Sequence, residues 1–130
     1  MKTLKQACKP RPSVFDSIKR DTVHDILDLV KDRIDADVFF AENFATQGMK
    51  TLITEAFKRL EGHGQAQGIF QLSQSMGGGK THNLIALGLL AKRPDLRARA
   101  MTGFHKPDPT LGVIRVAAFS GRQTDVPYGV

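Results

Sequence analysis

Gly68-Ile69-Phe70-Gln71-Leu72-Ser73-Gln74-Ser75-Met76-Gly77-Gly78-Gly79-Lys80-Thr81-His82-Asn83-Leu84 is the stretch on which the reading of the chain turns. Its first six residues have the length and composition of a short buried strand, bounded upstream by the turn-rich polar run of residues 61–68. Three consecutive glycines follow, and a long apolar run opens directly behind them. Strand, glycine loop and helix in that order are the context in which a loop of backbone N–H groups cradles phosphate.

Working outward, residues 81–92 are apolar on nearly every face (Leu84, Ile85, Ala86, Leu87, Leu89, Leu90, Ala91), carry Lys92 and Arg93 at the C-terminal end and meet Pro94. This predicts a buried helix that stops at the proline. Past a proline-containing loop, Val113 to Phe119 has the composition of a second strand, ending at Ser120-Gly121. The expected fold class is therefore α/β: a partial P-loop NTPase core with a strand, P-loop, helix, strand unit in a parallel sheet. Upstream, Val23, Ile26, Leu27, Val30 and Ile34 predict an amphipathic helix over 22–34, with Thr22 as N-cap and Asp25 three residues on. Asp35 to Ala45 is expected to be a partly buried connection. Met49, Leu52, Ile53, Ala56, Phe57 and Leu60 form one stripe of a helix that opens at Thr46 or Gln47 and closes near Gly62. The chain thus divides into a basic leader over 1–12, a helical segment over 13–67 and the start of a nucleotide-binding core over 68–130.

The chemistry rests on the glycine loop. Aiming several N–H groups at one anion takes the backbone through conformations that a Cβ resists, and Gly77, Gly78 and Gly79 remove that obstacle. Lys80 would reach the β- and γ-phosphates of ATP as a point charge, and the Thr81 hydroxyl would join the shell of a Mg²⁺ ion shared with them. His82 lies next to this site, where a histidine in a first helical turn either touches the nucleotide or simply packs. In the pattern G-x-x-x-x-G-K-[ST] the opening glycine position falls on Gln74.

Composition narrows the alternatives. A single cysteine, Cys8, excludes an internal disulfide framework and points to a reducing, cytoplasmic setting. No apolar run approaches the roughly 18 residues of a membrane span. The net charge of +6 divides into +4 over residues 1–12, −3 over 13–79 and +5 over 80–130. The middle is acidic and no aromatic platform accompanies the basic ends, so nucleic acid is an unsupported partner. Scattered His24, His63 and His105 have no metal-ligand spacing.

The run from Leu72 to Lys92, with its Gln-x-Met-Gly-Gly-Gly-Lys-Thr-His form, resembles the Walker A region of the family called domain of unknown function 499. Thr46-Gln47-Gly48-Met49-Lys50-Thr51-Leu52 and Val116-Ala117-Ala118-Phe119-Ser120-Gly121-Arg122 also resemble it, so the similarity runs from about residue 12 onward. The resemblance implies a large bacterial AAA-like ATP-binding protein, often associated with phage defence, with other subunits or defence proteins as partners. It makes Gln74 a familial variant. It also implies that Phe39, Phe40 and Phe44 either frame an adenine or pack as core between helices.

Family members carry an acidic Walker B strand that helps hold Mg²⁺ and orient water. No hydrophobic strand ending in Asp-Glu follows Thr81 in these 130 residues. The expectation is an N-terminal portion that binds ATP without hydrolysing it alone, with no catalytic residue assigned. A non-catalytic nucleic-acid-binding or protein-interaction module is the competing class.

Overall fold

The structure, a computed structural model, describes residues 24–73 and 79–120, with Thr3, Cys8, Pro10 and Phe15 besides. Most of the leader, Thr22, Gln74 to Gly78 and residues 121–130 with Arg122 lie outside the described residues. Among the described residues five helices follow in order: α1 (Ile26–Val30), α2 (Ala36–Glu42), α3 (Gln47–Leu60), α4 (Lys80–Lys92) and α5 (Pro94–Ala100).

The expected helix over 22–34 is shorter, and aspartates are the reason. Asp25 and Asp28 form a reciprocal capping box, Asp28 Oδ2 accepting from Asp25 N–H at 2.9 Å, so α1 begins only at Ile26. After one turn the chain leaves the helix through Asp32 at φ 53°, a left-handed conformation that ends helices. Asp35 then accepts from Val38 N–H at 3.1 Å and caps α2, a helix where a connection was expected.

Thr46 caps α3 in the same way, accepting from Met49 N–H at 3.3 Å. The stripe read from the sequence is the buried one: Met49, Leu52, Ile53, Ala56 and Phe57, with Leu60 left largely exposed. α4 packs against α1, α3 and α5, which accounts for its apolar residues on nearly every side. Leu29, Phe39, Ile53, Phe57, Ile85 and Leu90 are the centre of a core drawn from α1 to α4.

Among the described residues the chain is helical, with no strand, and this overturns the parallel sheet expected around the glycine loop. Residues 68–73 and 113–119, the two expected strands, have strand-like composition but form no ladder. A ladder requires a neighbour, and composition alone supplies none. The backbone bond that ties residues 113–119 to the rest runs from Ile114 N–H to Ala91 O at 2.9 Å, onto the end of α4. Ile114 and Val116 rest against the core while Val113 stays 71% exposed, and Ile69 is 84% exposed.

α4 ends at Lys92, just before Pro94, as expected, and a new helix opens at the proline. Pro94 occupies the first turn of α5, where its missing N–H costs nothing, and Arg93 both ends α4 and begins α5. Arg97 on α5 is 2% exposed and donates to Leu90 O (2.8 Å), Ala91 O (2.9 Å), Gly112 O (2.8 Å) and Leu111 O. The C-terminal carbonyls of α4 and the 111–112 segment thus share one guanidinium, which also lies 5.3 Å from the Phe57 ring centre. No helix among the described residues is long and apolar enough to cross a membrane.

Candidate functional site

Of the residues assigned to phosphate, Gly79, Lys80, Thr81 and His82 are described, and Gly77 and Gly78 lie outside the described residues. Gly79 has φ 73° and ψ 20°, the left-handed region, immediately before Lys80 opens α4. A Cβ there would meet nothing within 4 Å, so it is the backbone conformation and not lack of room that favours glycine.

The N-terminus of α4 differs from those of α1, α2 and α3. Their caps are the side chains of Asp25, Asp35 and Thr46, whereas among the described residues no side chain caps α4; α5 has none either, but it opens with Pro94 and Asp95 in its first turn. Its hydrogen-bond ladder starts with Asn83 N–H to Gly79 O at 2.9 Å, so the N–H groups of Thr81 and His82 precede it. Lys80 is half-buried, and Thr81 is exposed in the same turn. Such an end combines N–H groups that precede the intrahelical ladder with the positive pole of a 13-residue helix.

His82 turns away from that end. Its ring stacks on Phe39 of α2 with centroids 4.6 Å apart, and burial, followed by the proximity of His24, pulls its pKa below the ordinary 6.5. A neutral, packed ring is therefore its state near neutral pH. Phe39 itself is 3% exposed and belongs to the core, Phe40 packs partly against it, and Phe44 is 83% exposed with Lys50 Nζ 5.8 Å from its ring centre. The three aromatics do not converge on Thr81.

Thr81 instead faces a cleft of about 440 Å³ shared with His24, Asp25, Ile26, Leu84, Phe119 and Ser120. Nothing in the sequence pattern joins these positions, since they come from three separate segments. Also unheralded is a polar cluster at the far end of α3. There Glu61, with a 6% exposed side chain, accepts from Asp108 N–H at 3.0 Å and faces His105 Nε2 at 3.1 and 3.2 Å. No group of three or more potential metal ligands occurs among the described residues.

No curated protein and no solved structure matches the chain. The DUF499 N-terminal domain matches residues 7–103, a span that takes in the Thr46–Leu52 and Leu72–Lys92 stretches and stops short of Val116–Arg122. With well over half of its length covered, the chain belongs to the domain of unknown function 499 family.

Proposed function

We propose that the chain binds ATP with Mg²⁺, the triphosphate seated at the N-terminus of α4. The observation that carries this reading is the combination at Gly79: a left-handed glycine at the N-cap of a 13-residue helix, itself without a capping side chain, with Lys80 and Thr81 as the next two residues. A helix start shaped only for stability would gain from an Asp, Ser or Thr cap, as α1 to α3 do; an anion supplies the same neutralisation from outside. Lys80 contributes charge to the phosphates, and Thr81 contributes its hydroxyl to the metal. The lone Cys8 suits a cytoplasmic setting.

Lys80→Ala is expected to weaken ATP binding at least tenfold, about 1.4 kcal/mol, because a charge-assisted contact to phosphate is lost. Titration calorimetry of both proteins checks this, and equal affinities would remove the phosphate site. For Thr81→Ala the expected change is narrower. The gain in affinity that Mg²⁺ provides should shrink while binding in EDTA stays nearly unchanged. A variant that loses both equally would place the Thr81 hydroxyl on phosphate or in the fold and not on the metal.

A further inference from the structure

Resting on that reading, we infer that the cleft between α1 and α4 takes the nucleoside half of the nucleotide. The cleft begins at Thr81, one residue from the lysine assigned to phosphate, and its volume of about 440 Å³ lies in the range of small-ligand pockets. Thr81 and Leu84 are three residues apart and so share one face of α4, which makes the cleft wall continuous with the helix end.

Its chemistry separates a nucleoside from a second phosphate. Leu84 and Phe119 are large apolar side chains left 43% and 50% exposed at this wall, so a flat heterocycle laid against them would remove apolar surface from water. Asp25 brings a carboxylate to the same cleft. Its carboxylate caps α1, accepting from Leu27 N–H at 3.4 Å and from the Asp28 N–H of the capping box, and a carboxylate with about four lone-pair sites keeps acceptor capacity for further donors. Ribose hydroxyls and an exocyclic amine are donors, whereas phosphate oxygens are acceptors that a carboxylate repels. The Ser120 hydroxyl adds a group able to donate or accept. Phosphates at the helix end and nucleoside along the cleft is the orientation in which each part meets matching groups. With Phe39 buried in the core and Phe44 turned outward, Phe119 is the phenylalanine that lines this cleft among the described residues.

The test compares ATP with inorganic tripolyphosphate, each with Mg²⁺, by calorimetry on the full chain. Wild type is expected to bind ATP at least tenfold more tightly than tripolyphosphate. Phe119→Ser should bring the ATP affinity to within about threefold of that for tripolyphosphate, leaving the tripolyphosphate affinity unchanged. Asp25→Asn keeps a good N-cap and should weaken ATP but not tripolyphosphate. If tripolyphosphate binds in a Lys80-dependent manner and ATP binds no better, or if both variants leave ATP binding intact, the cleft assignment is wrong and the phosphate site stands. If neither ligand binds, the phosphate site falls, and the cleft assignment falls with it.

Discussion

Arg97→Ala is expected to cost about 3–5 kcal/mol of folding free energy, the scale found when one member of a buried charged arrangement is removed. Against the roughly 5–15 kcal/mol that holds a typical domain together, this is a large share. The reason is the number of acceptors that depend on one side chain. Leu90 and Ala91 are among the last four residues of α4, whose carbonyls have no partner within the helix, and Arg97 serves both. The same guanidinium serves Leu111 and Gly112. Burial lowers its pKa from the ordinary value, yet a guanidinium remains charged at any pH the fold survives. Truncation therefore takes a donor from four carbonyls in and around the core, of which Ala91 O keeps its bond from Ile114 N–H, and removes a cation from the negative end of α4. Denaturant unfolding followed by circular dichroism measures the loss. Arg97→Lys keeps the charge but loses the planar fork, so it should fall between wild type and Arg97→Ala. An Arg97→Ala variant within 1 kcal/mol of wild type would show that the 111–112 segment is held by something else.

Gly88→Ala carries the second large effect, and here two tendencies oppose each other. On an exposed helix surface alanine would gain about 1 kcal/mol over glycine. At Gly88 a Cβ would stand 2.3 Å from Leu29 Cδ2, 3.2 Å from Cδ1 and 3.3 Å from Cγ. Leu29 is 2% exposed on α1 and both its methyls and its Cγ lie in the path of the new Cβ, so overpacking of about 1–3 kcal/mol should win. Unfolding midpoints report the sign. In a Leu29→Ala background the obstacle is gone, and Gly88→Ala should become neutral or stabilising. A Gly88→Ala variant more stable than wild type, with Leu29 intact, would contradict the close approach of α1 and α4.

Periodicity made α3 and α4 legible because their burial follows from which residues are apolar. α1 and α2 were blurred for the opposite reason. Asp25, Asp28, Asp32 and Asp35 set their ends, and an acidic face looks the same whether its carboxylates meet solvent or cap a backbone. Pro94 signals a stop from sequence, but the residue that cannot continue one helix is well suited to start the next. Residues 69–72 and 113–119 misled because β-favouring side chains indicate an extended chain and not the partner strand that makes a sheet. At the candidate site, the succession of Gly79, Lys80 and Thr81 into a helix start is legible because it is local in the sequence. The cleft beside Thr81 was not, because His24, Asp25 and Phe119 become neighbours only when α1 packs on α4. Arg97, Glu61 and His105 carried no signal for the same reason: each finds its partners far along the chain or in carbonyls that no side-chain pattern encodes.

Glu61 and Arg97 also fix where the cooperative unit of this domain ends. The family match closes at residue 103, but Glu61 on the end of α3 holds His105 and Asp108, and Arg97 on α5 holds Leu111 and Gly112. Ile114 then bonds back to α4 through Ala91. Residues 104–114 therefore open and close with the helices and do not form a linker that follows them. The segment that defines the family by sequence is shorter than the segment that must fold together, and the boundary of the folding unit lies beyond Ile114.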